Sequence, residues 1–487
     1  MWVQDKFQYK DIIFRLGLRA DRYDANTSVL KDQYALYDIM TADNFYSSVL
    51  QESKPANIGD DYKVYVEQEG STEIKAFRVG DQWYYPNGAP APDGRSIYGT
   101  STSTPYYAEQ NSNIRDIRSP NYDPSTSFED YKPELFWVPR LAFSFPISDE
   151  ANFFANYDVL VSRPTSNTIV TPLNYFYFED QGRTPANNPN LQPERTIVYE
   201  VGFQQKLTNS SALRLSAYYR ELRDLIQRRT VLYVPAPVSN YDTYGNIDFG
   251  TVKAFTIEYD LRRTNNVQLN ANYTLQFADG TGSDANSQNG LTNRGLNIRT
   301  LFPFSYDERH TFNMVLDYRY GRGKKYNGPR IMGVDIFQDA GLNIQTSAVS
   351  GRPYTKNLVP TTFGGSGNSG TINGNRLPWR FNMDLRLDKR FDLSNKGVEN
   401  ARPLWLNAYL RVQNVLNIQN VLGVYSASGS PDDDGFLAST FGEGAVQTLN
   451  DVGRDPNFYL DVYSWAVLNP GFFNLPRRIF LGAIFEF

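Results

Sequence analysis

Few residues in this sequence have the type and spacing to do chemistry. His310 is the single histidine, so a Ser-His-Asp-type triad or a cluster of imidazole ligands has only one residue to draw on. It stands in Glu308-Arg309-His310, at the opening of a strand, where a structural role at a rim is the plainer reading. The carboxylate run Asp432-Asp433-Asp434 could hold a hard cation such as calcium, although its spacing is not that of a calcium loop. The alternative is a solvated acidic turn. Trp83-Tyr84-Tyr85, Tyr106-Tyr107, Phe136-Trp137 and Trp465 place ring faces in or beside polar segments, suited to stacking on a sugar or peptide ligand or to packing loops together. Phe363-Gly364-Gly365-Ser366-Gly367 shares only its composition with a phosphate cradle and, without a strand-to-helix context, reads as a flexible loop tip. With no cysteine in the chain, thiolate metal sites and a disulfide framework are excluded. No other cofactor is implied.

The elements that would position these residues are strands. The chain has 487 residues, a net charge of −5, 34 tyrosines and a mean hydropathy of −0.50. No basic block suggests nucleic acid, and no stretch approaches the ~20 apolar residues of a membrane helix. A barrel wall meets lipid with only every second residue, and its interfacial girdles are rich in aromatics. The final strand has that form, with Ile479, Leu481, Ala483, Phe485 and Phe487 on one face. Upstream the alternation recurs, as in Phe381, Met383, Leu385 and Leu387 against Asn382, Asp384, Arg386 and Asp388. The charges Asp384, Arg386, Asp388, Arg411, Glu258, Asp260 and Arg262 then fall on the inner face, as a selectivity filter or as paired charges in a wet interior.

The connections separate this pattern from a soluble sandwich, which also alternates. Short ones near 10, 149, 209, 264, 321–335 and 393–402 alternate with long ones at about 22–137, 160–195, 223–248, 278–308, 350–380 and 416–477. Short periplasmic turns and long extracellular loops mark an outer-membrane barrel. The expected fold is therefore all-β, a transmembrane antiparallel β-barrel contributing about 13 strands. An odd number cannot close in the ordinary antiparallel way, and Met1-Trp2 lead into a strand with no signal peptide. Either the count is off by one or the missing strands lie upstream of Met1, and the second option agrees with the absent signal peptide.

The chain also resembles a known family. Gln4-Asp5-Lys6-Phe7 with Gly17-Leu18-Arg19-Ala20-Asp21, and Asn188-Pro189-Asn190-Leu191-Gln192-Pro193-Glu194 with Tyr199-Glu200-Val201-Gly202, are similar in order to motifs of TonB-dependent outer-membrane receptors. Arg309-His310-Thr311-Phe312, Ser350-Gly351-Arg352-Pro353-Tyr354-Thr355, Val412-Gln413-Asn414-Val415-Leu416-Asn417 and Pro476-Arg477-Arg478 continue the series. The loop around Asp432-Asp433-Asp434 suggests the Oar-like subgroup. The resemblance covers the C-terminal part of such a receptor, residues 1–487. It implies a 22-stranded barrel in the bacterial outer membrane, with the plug domain and about nine strands not included in this sequence. It further implies TonB-energised import of a ligand captured by the loops, no enzymatic activity, and assembly by the barrel-assembly machinery reading Phe485 and Phe487. The partners it implies are membrane lipid, the TonB complex through the N-terminal part, and in some relatives a surface lipoprotein. Two rivals stand beside it. One is a surface-display or adhesion barrel whose loops dock a partner. The other is a barrel-borne hydrolase, which would need a constellation around His310 that the sequence does not supply.

Overall fold

A computed structural model describes residues 1–98, 103–164, 172–178, 187–289, 297, 299–394 and 404–487. Its main element is one antiparallel sheet in which thirteen strands follow one another in chain order. The wall strands are β1 (Trp2–Tyr9), β2 (Ile12–Tyr23), β3 (Glu134–Ser148), β4 (Ala151–Ser162), β5 (Glu194–Thr208), β6 (Ser211–Leu232) and β7 (Asn240–Thr264). They continue as β8 (Val267–Gly280), β9 (His310–Arg319), β10 (Ala340–Val349), β11 (Arg380–Asp392), β12 (Trp405–Gln413) and β13 (Arg478–Glu486). No helix among the described residues is long and apolar enough to cross a membrane. The wall crosses with strands.

Register explains why the alternation holds across the whole sheet. Cross-strand partners share a face, so one apolar residue fixes the face of its neighbours. The pairs Phe7–Phe14, Phe14–Phe143 and Phe153–Phe203 belong to one row. So do Leu215–Ile257, Ile257–Tyr273, Tyr273–Phe312, Leu387–Leu410 and Leu410–Leu481. Rings touch along much of it, with Phe7 stacked on Phe14 at 5.0 Å and Tyr157, Tyr199 and Tyr219 in series at 5.2 and 6.1 Å. The opposite face carries hydrogen-bonded polar groups. Glu200 accepts from Asn156 at 3.2 Å and Arg214 at 3.3 Å, Arg140 meets Asp158 at 3.0 Å, and Arg319 forks onto Asp388 at 2.9 and 2.7 Å. Of the inner-face charges expected from sequence, Asp388 and Glu258 are paired with arginines on the wall, and Arg386 lies over the Tyr409 ring at 4.6 Å.

Because the sheet is sequential, alternate connections lie on opposite rims. One rim carries 10–11, 149–150, 209–210, 265–266, 320–339 and the link after Asp392. The other carries 24–133, 163–193, 233–239, 281–309, 350–379 and 414–477. Three expectations need correcting. The loop expected at 223–248 is mostly sheet, since β6 and β7 run on as a paired hairpin that closes only at 233–239. Lipid–lumen alternation is lost there, with a bulge after Leu222, so pattern alone missed it. The 416–477 loop contains two helices, α1 (Thr440–Asp451) and α2 (Pro456–Ala466). The tip at Gly364–Gly367 is not irregular, because Gly364–Asn368 pairs with Asn357–Thr361. The 160–195 and 278–308 loops are described only in part, and the connection expected at 393–402 lies outside the described residues from 395 onward.

Burial concentrates outside the wall. Each wall side chain faces lipid or lumen, so the largest fully buried side chains, among them Tyr65, Tyr131, Phe45, Phe77 and Phe304, belong to the loops.

Candidate ligand-capture surface of the outer loops

The 24–133 connection is a module with its own core. Its base is clamped by Ser28–Leu30 pairing with Phe128–Asp130. Above this, Lys63–Val66, Ile74–Val79, Gln82–Tyr84 and Thr104–Pro105 form a four-stranded sheet. Alternation along Lys63–Val66 sends Tyr65 into one cluster, with Ile39, Trp83 and Ile97, and Val64 and Val66 into another, with Phe45, Phe77 and Tyr106. Two-sided burial of a short sheet is what gives a loop the rigidity of a domain.

Arg78 is the electrostatic centre of the module. Its guanidinium lies 4.5 Å from the Tyr34 ring centroid and 5.7 Å from that of Tyr65. It donates to the Tyr65 hydroxyl at 3.0 Å and the Gly80 carbonyl at 2.8 Å, and pairs with Asp32. Burial, reinforced by the hydrogen-bonded Asp81 carboxylate, pushes the Tyr34 phenol up to about 12.

The module is tied to the extended hairpin. The Tyr241 hydroxyl donates to the Gln33 carbonyl at 2.7 Å, Arg229 donates to the Gln33 side chain, and Tyr98 stacks on Tyr233 at 5.9 Å. Between module, hairpin and the 187–193 segment lies a cavity of about 310 Å³, lined by Asp32, Tyr34, Arg78, Asn188, Asn190 and Tyr241 among others. Phenol hydroxyls, amides and an ion pair around one hollow suit a polar ligand offering hydroxyls or amides.

The residues singled out by sequence do not converge on this cavity. Trp83 and Tyr106 are buried in the module core and offer no face to a ligand. Tyr84, Tyr85 and Tyr107 are half-buried, with Tyr84 stacked on Tyr62 at 4.5 Å. Trp137 is not in a loop but on β3, paired with Ala20 in the outward row and 61% exposed, which places it on the lipid side. Trp465 is 81% exposed on α2 and stands apart from the others. The three carboxylates diverge: Asp432 and Asp433 are exposed, whereas Asp434 is buried and accepts from the Phe363 and Phe436 amides, both at 2.9 Å, and from Tyr463. Among the described residues no group of three or more His, Asp or Glu side chains is placed to hold a metal ion. Phe485 and Phe487 are exposed at the end of β13.

The motif residues act as fasteners. Asn188 donates to the Tyr244 carbonyl at 2.9 Å, while Gln192 and Asn246 exchange hydrogen bonds at 2.9 and 2.8 Å. Asn414 donates to the Ile418 and Leu475 carbonyls at 3.0 and 3.2 Å. His310 lies between the Trp379 and Tyr273 rings at 5.5 and 6.2 Å, its Nδ1 2.8 Å from the Tyr273 hydroxyl. Sequence reasoning missed Asp32, Tyr34, Arg78 and Tyr241, because the residues that meet there lie up to about two hundred positions apart and share no spacing.

Comparison with known proteins fits the wall. Residues 108–347 match the model of the outer membrane protein beta-barrel family. The chain is a bacterial outer-membrane β-barrel protein. No curated protein sequence matches it. Solved structures similar to this outer-membrane barrel include the ferric-catecholate import receptor Fiu of E. coli K12, at 13% identity over 88% of this chain and 42% of that one, TM-score 0.43. The siderophore receptor PiuA of Acinetobacter baumannii has 9% identity over 88% and 40%, TM-score 0.41. The hemophore receptor HasR of Serratia marcescens, in complex with HasA and heme, has 13% identity over 87% and 49%, TM-score 0.41. The barrel chain therefore spans less than half the length of each of these.

Proposed function

We propose that this outer-membrane chain is the C-terminal wall of a receptor that captures a polar ligand with its outer loops for TonB-energised import. The observation that carries the reading is the joining of the rigid 24–133 module to the β6–β7 hairpin around a polar hollow, at the rim opposite the short turns. Preformed polar hollows are what capture of a dilute ligand calls for, since ordering is then complete before binding. The motif series and the import receptors among the similar structures support the same class. In this reading the barrel-assembly machinery takes Phe485 and Phe487 as its signal, and the TonB complex acts through the part of the receptor beyond this chain. A surface lipoprotein over the loops is a further candidate partner.

Uptake tests the reading. Cells with the protein deleted or restored are offered siderophore-bound iron, heme, oligosaccharides and peptides singly, with TonB present or absent. The reading expects restored uptake of one class, lost without TonB and weakened by Tyr241→Ala. Equal growth of both strains on every class, with loss of attachment to a surface instead, would favour the display reading, for which the self-cored module is the supporting observation.

A further inference from the structure

The 320–339 connection joins β9 to β10 on the short-turn rim, where four of the other links are two residues long. We propose that it is a lipid anchor, binding anionic phospholipid headgroups of the inner leaflet and burying its tip among their acyl chains. The tip is rigid and apolar. Ile331 and Val334 exchange backbone hydrogen bonds at 3.1 and 3.0 Å. Met332 and Gly333 between them have φ of 51° and 80°, the left-handed pair of a tight two-residue turn. That geometry projects Met332 off the end, 99% exposed, beside Ile331 at 54% and Val334 at 62%. Hairpin tips in water are ordinarily polar, built from Asn, Asp and Gly.

The position of the connection says what covers the tip. Tyr318 continues the lipid-facing row, paired with Val267 and Leu342. Tyr320 packs on Tyr318 at 5.2 Å, and Phe337 stacks on Tyr320 at 6.0 Å. Lys389, paired with Ala340 in the same outward row, donates to the Ile336 carbonyl. The ends of the segment thus continue the surface that faces lipid, through Tyr320, Phe337 and Ile336, while Arg322 reaches round the rim to Asp392 and Trp405 on the inner face.

Charge completes the argument. Arg322 is held by Asp392 and by the Trp405 ring at 4.3 Å, and Arg330 by Asp335 at 2.8 Å. Asp339, the remaining carboxylate of the segment, faces Arg322 at 3.9 Å. Lys324 and Lys325 are exposed on a single helical turn and make no ion pair among the described residues. Two unpaired ammonium groups, five and six residues past the end of β9 at Arg319, share a connection with an apolar knob, the pair of chemistries that the headgroup and acyl layers of an anionic phospholipid leaflet would take up.

The test uses the protein purified from outer membranes and placed in nanodiscs of phosphatidylethanolamine with or without phosphatidylglycerol. As this chain has no cysteine, Met332→Cys takes one nitrobenzoxadiazole label, and Asn209→Cys on the polar 209–210 turn of the same rim is the reference. The label at 332 is expected to be quenched by doxyl-phospholipid and shielded from iodide, and the label at 209 to behave oppositely. Retention of phosphatidylglycerol, read by native mass spectrometry, is expected to fall about fivefold for each of Lys324→Gln and Lys325→Gln. Iodide quenching at 332 equal to that at 209 would overturn the proposal, as would unchanged phosphatidylglycerol retention in the double variant. Shielding from iodide without doxyl quenching would also overturn it, and would indicate a protein over the tip.

Discussion

Asp434 fastens the 350–379 loop to the 414–477 loop, and cutting it has a calculable result. One carboxylate oxygen accepts from the Phe363 amide at 2.9 Å and from the Tyr463 hydroxyl; the other accepts from the Phe436 amide at 2.9 Å. The Tyr463 ring is also stacked on Phe363 at 5.1 Å. A hydrogen bond to a charged group contributes about 1.5–3 kcal/mol. Tyr463→Phe keeps the stack and removes one such bond, so local opening should become about ten- to a hundredfold more frequent. Asp434→Ala strands two amide donors at once, costs about 3–6 kcal/mol, and should undock the loops. Hydrogen exchange resolved by residue is the assay, with the Phe363 and Phe436 amides as reporters and the β10–β11 amides as internal reference. Phe363 exchange in Asp434→Ala within twofold of the parent protein would refute the reasoning. Equal acceleration across β10 and β11 would refute it too, by showing that the loss is not local.

Three further outcomes follow from the same geometry. Trp83→Ala empties a buried site in the module, costs about 3–5 kcal/mol, and should expose 28–131 to protease while the wall stays protected. The Tyr34 phenol is raised from its ordinary 10.0 to about 12, by burial and then by Asp81. Its stabilising contribution is therefore complete below pH 10 and lost as pH rises toward 12; phenolate absorbance should show a component near 12 that Tyr34→Phe diminishes, leaving the share of Tyr175, which burial also raises to about 12. At Gly282 an added Cβ would sit 2.0 Å from Asp248 Oδ2 and 2.5 Å from Gln227 Nε2. Gly282→Ala should therefore cost about 1–3 kcal/mol and speed exchange at the Arg228 amide, which donates to the Ala285 carbonyl.

Where lipid and lumen impose opposite chemistries on alternate residues, the sequence was legible. Phe381 to Asp388 reads directly as a wall strand, and the thirteen sequential strands agree with the thirteen or so expected. The same logic fails above the membrane. Beyond Leu222 both faces of the hairpin meet protein or water, so β6 and β7 continue without a signal in the pattern. The helix at 456–466 was hidden for a different reason: it buries Tyr463 yet leaves Phe458, Val462 and Trp465 exposed, so it lacks the single apolar stripe that marks a surface helix. At the candidate site, aromatic content suggested ligand contact, but Trp83 and Tyr106 went into a core that their clustering equally foretold. The cavity depends on Gln33 meeting Arg229 and Tyr241. Only the fold brings those residues together.

The orientation of the wall underlies every statement about capture, and thiol labelling tests it most directly. In a chain without cysteine, Thr72→Cys in the 24–133 module and Asn209→Cys in the 209–210 turn are each exposed to a membrane-impermeant maleimide. In intact cells Thr72→Cys is predicted to react and Asn209→Cys to stay unlabelled until the outer membrane is opened. Labelling of Asn209→Cys in intact cells, with Thr72→Cys protected, would place the module in the periplasm and contradict the account.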